Sequence, residues 1–274
     1  MRDTVLIIMA RYPQAGTTKT RLAHSIGDEA TLLLYKAFLT DLAHKFAPPV
    51  ILSAAKNLWP PAHLKGGLPI LRCAQNDRGK FAGQIADLYW AYTQPDVDYA
   101  QFMTTLVPSL AHHMQYFPQQ GADLGERLLH AFQHMYKSGY KRIILIGSDS
   151  PHIRWDIVAA ACQALDEADV VLGPADDGGY YLIAMRQPYD VFRGIPMSTS
   201  RVARMTIELA QSQHLKVSTL ETLFDVDELP DLLRLEQLLR ADSSLAPATA
   251  ALLLTGNDMR SMGDYKSMPI QELV

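Results

Sequence analysis

Short apolar runs alternate along the chain with segments in which apolar residues recur every three or four positions. The runs at 5–9, 85–93, 114–117, 143–146, 169–173, 181–185 and 217–220 have the length of strands, and several are rich enough in Val, Ile and Leu to be buried on both faces. Between the first two, Leu32, Leu33, Tyr35, Leu39, Leu42 and Phe46 mark a helix over 28–46, capped by Gly27 or Asp28. Further helices are predicted over 101–112, from about 119 to 137, and over 155–167. Three more are predicted within 196–213, over 228–240 and over 247–253. Gly139 reads as a helix stop. Strands alternating with helices at this spacing predict an α/β fold, a Rossmann-like three-layer domain around a mainly parallel sheet. The Asp177-Gly178-Gly179 turn between two strands adds at least one antiparallel strand, which makes the sheet mixed.

One region breaks the pattern. Residues 48–84 carry Pro48-Pro49, Pro60-Pro61 and Gly66-Gly67, and every charged side chain there except Asp77 is basic. A stretch this long without clear periodicity reads as an insertion, with 50–52 and 68–73 as a small hairpin. A segment that follows a helix and precedes a strand lies at the N-terminal edge of the sheet, away from a ligand crevice. The expected organisation is one domain over 1–242, interrupted at about 48–84, and a helical and polar tail over 243–274.

Composition narrows the class. An apolar content of 48% with 20% charged residues suits a soluble enzyme. The formal charge of −4 offers no general attraction to nucleic acid or an anionic membrane. Cys73 and Cys162 are too few for a disulfide framework or a zinc site. The apolar run near the N-terminus is too short for a signal peptide or a membrane span, so the expected compartment is the cytoplasm.

Candidate chemistry collects where strands end. After the first strand come Arg11, Gly16, Lys19 and Arg21, a glycine bend with basic groups that suits either a phosphate site or a solvated basic loop. It lacks the second glycine of a Walker loop. Asp149 follows the run at 143–146 directly, in Gly147-Ser148-Asp149-Ser150-Pro151. It is either a cap for the next helix or a ligand at the edge where open α/β sheets bind substrates. Asp225 and Asp227 follow the last strand; a helix cap is favoured for Asp225 and a metal role for Asp227. Two strand-end carboxylates with water and phosphate oxygens are what magnesium or manganese takes. Asp176, Asp177, Gly178 and Gly179 form either a tight hairpin turn or a site for substrate hydroxyls. His112-His113 has no third ligand at metal spacing, and no nucleophile elbow surrounds Ser148 or Ser150.

Taken in order, these motifs resemble a bacterial glycosyltransferase-like family of unassigned activity, in the nucleotide-diphospho-sugar transferase superfamily with the glycosyltransferase-A fold. Phospholactate guanylyltransferases and, more remotely, molybdenum-cofactor guanylyltransferases are among its relatives. The residues that carry the resemblance are Arg11-Tyr12-Pro13 with Gly16 and Lys19-Thr20-Arg21-Leu22, then Gly121 with Asp123-Leu124-Gly125-Glu126-Arg127, then Ile146 to Pro151. Leu172 to Tyr181, Ser198-Thr199 and Asp225-Val226-Asp227 complete it. The 48–84 region has no counterpart in that pattern, and Met197 stands where tryptophan is expected.

The resemblance implies a glycosyltransferase-A-like domain with a nucleotide at the C-terminal edge of the sheet. Lys19 and Arg21, with Arg11 and Gly16, would meet phosphates. Gly121, Asp123, Gly125 and Arg127 would lie against the base or ribose. Asp149 and Asp227 would hold Mg2+ or Mn2+. Asp176, Asp177, Gly178, Gly179, Tyr180 and Ser198 would face the acceptor, with Lys19, Asp149 and Asp177 carrying the catalysis. The favoured reaction is nucleotidyl transfer from a nucleoside triphosphate to a phosphorylated small-molecule acceptor, because departing pyrophosphate needs positive charge. Glycosyl transfer from a nucleotide sugar is the alternative within the class, and a non-catalytic nucleotide-binding protein the alternative outside it. A homodimer is left open.

Overall fold

A computed structural model of the chain describes residues 3–47, 87–197 and 199–255. The predicted insertion, Ser198 and the tail beyond 255 lie outside the described residues.

Among the described residues seven strands form one sheet: β1 Thr4–Ala10, β2 Asp87–Tyr92, β3 Gln115–Pro118, β4 Arg142–Gly147, β5 Val170–Pro174, β6 Tyr180–Met185 and β7 Val217–Thr219. Their order across the sheet is β3-β2-β1-β4-β6-β5-β7. All run parallel except β6, which lies antiparallel between β4 and β5. The glycine turn after β5 therefore makes a hairpin whose second strand enters the middle of the sheet. Alternation along β1 and β4 explains both faces. Leu6, Ile8, Ile144 and Ile146 belong to one core, while Val5, Ile7, Ile143 and Leu145 belong to the other.

Among the described residues eight α-helices cover the sheet: α1 Thr20–Ile26, α2 Asp28–Phe46, α3 Tyr99–Leu106, α4 Leu124–Lys137, α5 Trp155–Ala164, α6 Val202–Ser212, α7 Leu229–Ala241 and α8 Pro247–Thr255. The first core takes in Leu34, Phe38 and Leu42 of α2, Val158 of α5, Leu235 of α7 and Leu253 of α8. The second takes in Leu128, Phe132 and Met135 of α4 with Ala210 of α6. Helix α8 is tied to α2 by Asp41, which accepts from the Ala248 and Thr249 amides at 2.7 and 2.9 Å.

Helix α1 is the element that the apolar pattern does not announce. Its seven residues follow Lys19, whose φ of 46° and ψ of 55° are left-handed, and end at Gly27 with φ of 84°. Two chain reversals of this kind isolate a helix too short to show a period. The predicted helix over 101–112 is shorter in the structure, and the one within 196–213 starts at Val202.

Candidate active site

The C-terminal ends of β1, β2, β3 and β4 and the first residue of β6 meet at one edge, around a cleft of about 680 Å³. The loop after β1 contributes Arg11 and Lys19 to its lining, the first turn of α1 contributes Arg21, and the start of α4 contributes Arg127. The loop after β4 adds Asp149, the segment after β7 adds Asp225 and Asp227, and the hairpin adds Asp177, Gly179 and Tyr180. Strand ends thus bring together groups more than two hundred residues apart.

Lys19 lies at the centre. Its ammonium donates to the Val226 carbonyl at 2.7 Å, pairs with Asp149 Oδ1 at 2.6 Å and reaches Asp227 Oδ1 at 3.2 Å. All three of its N–H donors are therefore occupied. Its side chain is 5% exposed, against 43% for Asp149 and 47% for Asp227. Burial works against the ammonium, but the two carboxylates outweigh it and raise its pKa above the ordinary lysine value. A left-handed non-glycine residue costs roughly 1–2 kcal/mol, so the loop holds Lys19 in this pose against a local preference.

Neither carboxylate after β7 caps a helix. The N-cap of α7 is Glu228, and Asp231 accepts from the Asp227 and Glu228 amides at 3.1 and 2.9 Å. Asp149 does not cap α5 either, whose N-cap is Arg154. Asp225 instead is hydrogen-bonded to Ser150 Oγ, which is also 3.0 Å from the Phe224 carbonyl. Burial, and then the Asp149 charge, push the Asp225 carboxyl up to about 7. A protonated Asp225 can donate to Ser150, which donates onward to Phe224, so the neutral acid completes the chain.

A carboxyl raised in the folded state favours the fold while it is protonated. That contribution is full below about pH 4 and is lost as pH climbs through about 7. Asp225→Asn removes the dependence. The wild type should lose about 2–4 kcal/mol relative to this variant between acid and pH 8, measured as urea unfolding free energies at pH 5 and pH 8. A gap that does not change with pH would show that Asp225 is an ordinary ionised acid.

Two site residues escape the sequence reading. The Tyr35 hydroxyl accepts from the Arg11 amide at 3.0 Å and bonds Ser148 Oγ at 2.9 Å, tying the loop after β1 to the loop after β4. It falls on the apolar face of α2, where its period marks it as core; the signal is that a buried tyrosine hydroxyl needs a partner. Gln119 donates its amide nitrogen to the Ala91 carbonyl at 2.8 Å and also lines the cleft.

Several predicted residues do not line the cleft. Gly16 has φ of 76° and bends the loop. Asp123 caps α4 by accepting from the Glu126 amide at 2.9 Å, and Arg127 Nε donates to the Gly121 carbonyl at 3.2 Å. A Cβ on Gly121 would lie 2.7 Å from Glu126 Cβ, and one on Gly125 3.1 Å from Met197 Cε, so both glycines permit close packing around the start of α4. Asp176 pairs with Arg234 at 2.5 Å. Gly178 has φ of 89°, and a Cβ there would lie 2.0 Å from the Ser200 carbonyl oxygen, so only glycine fits where the hairpin meets the loop before α6. His152 is buried against Phe224, with ring centroids 4.2 Å apart, and does not line the cleft.

Among the described residues no group of three or more His, Cys, Asp or Glu is arranged to hold a metal. The carboxylate pair nonetheless suits a hard divalent cation. Asp149 and Asp227 already converge on one cationic nitrogen, and magnesium sites commonly use one or two carboxylates with substrate phosphates completing the shell. No helix among the described residues is long and apolar enough to cross a membrane.

Comparison with known proteins bears on the family and the fold. Residues 81–199 match a family described as uncharacterized protein conserved in bacteria, DUF2064. A crystal structure from Desulfovibrio desulfuricans G20, named a "putative nucleotide-diphospho-sugar transferase", is 30% identical, with a TM-score of 0.75 over 96% of this chain and 99% of that one. A cytidylyltransferase from Leptospira borgpetersenii serovar Hardjo-bovis (strain JB197) is 13% identical with a TM-score of 0.48, covering 98% of this chain and 99% of that one. A CMP:2-keto-3-deoxy-manno-octonic acid synthetase complexed with CTP is 14% identical with a TM-score of 0.45, covering 88% of this chain and 99% of that one. Likenesses as distant as these last two carry no argument about activity. The comparison with curated proteins returns no match. With the 30% identity spread over nearly the whole of both chains, this protein belongs to the bacterial DUF2064 family, on the fold of the nucleotide-diphospho-sugar transferases.

Proposed function

We propose that the protein is a metal-assisted transferase acting on a nucleotide, and that its reaction is nucleotidyl transfer. The observation that carries this reading is the convergence of Arg11, Lys19, Arg21 and Arg127 on one cleft with Asp149 and Asp227. A nucleoside triphosphate brings about four negative charges, and basic groups held in a partly enclosed site stabilise the charge that builds on a departing pyrophosphate. In the reaction an acceptor phosphate oxygen attacks the α-phosphorus, the bond to the α,β-bridging oxygen breaks, and pyrophosphate leaves with the electron pair. Asp149 and Asp227 would hold Mg2+ or Mn2+, whose chemistry here is neutralisation of phosphate charge. Tyr35 fixes the spacing between the basic loop and the Asp149 loop.

One observation favours a second reading, glycosyl transfer from a nucleotide sugar. Asp177 lines the same cleft, with Oδ1 held by the Gly179 amide at 2.8 Å, which leaves Oδ2 to accept a proton from an acceptor hydroxyl. A screen of nucleoside triphosphates and nucleotide sugars with Mg2+ or Mn2+ separates the two. Pyrophosphate release that depends on a phosphorylated acceptor supports nucleotidyl transfer; free nucleoside diphosphate from a nucleotide sugar supports the other. Asp149→Asn should weaken Mn2+ binding at least ten-fold, read by electron paramagnetic resonance of free Mn2+. Unchanged affinity would remove Asp149 from the metal site.

A further inference from the structure

Within the cleft, polarity is divided. The basic side chains come from the stretch 11–21 after β1 and from Arg127 on α4, whereas Leu124 and Leu128 of the same helix with Leu145, Tyr180, Ile183 and Met197 form an apolar lining between the sheet and the start of α4. Leu145, Ile183 and Leu128 are the buried base of this lining. Leu124 at its rim is 43% exposed, one of two large hydrophobic side chains so exposed among the described residues. The hairpin and the loop before α6 add Asp177, Thr199 and Ser200 but, among the described residues, no basic side chain to the lining.

We propose that the second substrate has an apolar body of several carbon atoms, alkyl or aryl, with a hydroxyl or amino group directed at Asp177, rather than the polyhydroxylated body of a sugar. This rests on the reading of the cleft as a transferase site. A sugar ring pressed on Leu124 and Met197 would surrender hydroxyl hydration, with Asp177, Thr199 and Ser200 too few to replace it around the whole ring, whereas an apolar body removes both surfaces from water together. Under nucleotidyl transfer the substrate's phosphate lies towards Lys19 and its body towards Met197. Under glycosyl transfer the hydroxyl facing Asp177 is the attacking group. The division of the cleft selects the same body in both cases.

Hexyl phosphate and ribose 5-phosphate carry the same phosphate on bodies of opposite polarity. Each is titrated calorimetrically into the full chain with Mg2+ and, in turn, the four non-hydrolysable α,β-methylene nucleoside triphosphates. Hexyl phosphate is expected to bind at least ten-fold more tightly. Met197→Glu should weaken it at least ten-fold, and Met197→Leu should restore it. Leu124→Glu provides a second test at an exposed first-turn position, where an acid favours the helix and folding is not at risk. Equal or tighter binding of ribose 5-phosphate, no binding of hexyl phosphate, or indifference to both glutamates would overturn the proposal. If none of the nucleotide analogues binds while the hexyl phosphate preference persists, the transferase reading fails and the apolar subsite stands.

Discussion

Replacing Lys19 with alanine is expected to cut turnover about 10²–10³-fold and, in the same protein, to tighten divalent-cation binding. The two effects have one origin. The Lys19 ammonium occupies the point on which Asp149 and Asp227 converge, at 2.6 and 3.2 Å, with the Val226 carbonyl at 2.7 Å as its third acceptor. A cation entering between the carboxylates must displace a charge of its own sign, and repulsion between two cations about 4 Å apart is worth several kcal/mol in a partly buried site. Without the lysine that competitor is gone and the carboxylates are left unneutralised. Turnover falls for a different reason: a displaced Lys19 is the basic group best placed to follow the phosphates. Steady-state rates and Mn2+ titration of the same variant check both halves. Weaker Mn2+ binding in Lys19→Ala would mean that the lysine supports the metal site rather than competing for it.

The sequence shows the strands far better than it shows the site. Residues 143–146 and 170–173 are buried on both faces, so an unbroken apolar run is a direct print of their position. The acidic groups were legible for the same reason: Asp149 and Asp227 follow apolar strands, and strand ends are where such sheets bind ligands. Lys19 was legible as a basic group but not as the partner of those acids, because that contact depends on α1. A seven-residue helix between a left-handed lysine and a left-handed glycine has no apolar period to read. Asp225 was misread for a related reason. An acid shortly before a helix looks like a cap, and only the three-dimensional placement of Ser150 and Asp231 shows that the capping was done by other groups. Tyr35 and Gln119 act through atoms whose partners come from distant strands, which no local pattern records.

Lys45 presents the same limit with a larger consequence, since it reads as a basic residue in the last turn of a helix, where cations are ordinary. In the structure its ammonium donates to the carbonyls of Pro151, Ile153 and Leu245 at 2.7, 2.8 and 2.6 Å. The first two belong to the loop that carries Asp149, and the third to the segment leading into α8. Trp155 closes the arrangement by donating its indole N–H to the Lys45 carbonyl at 2.6 Å. One side chain on α2 thus pins both the loop after β4 and the start of the last helix. Lys45→Met keeps most of the aliphatic stem but removes three charge-assisted hydrogen bonds and leaves three carbonyls short of a donor. The expected loss is about 2–4 kcal/mol of unfolding free energy, seen as a lower urea midpoint with an unchanged slope. The Asp149 loop should loosen before the fold is lost, so Mn2+ affinity should fall at a urea concentration where the variant is still native. A variant of unchanged stability would mean that water replaces the ammonium at these carbonyls. Weaker stability with unchanged metal affinity would mean that Asp149 is held without Lys45, by its pair with Lys19, the Val226 amide on its carbonyl and the Tyr35–Ser148 bond beside it.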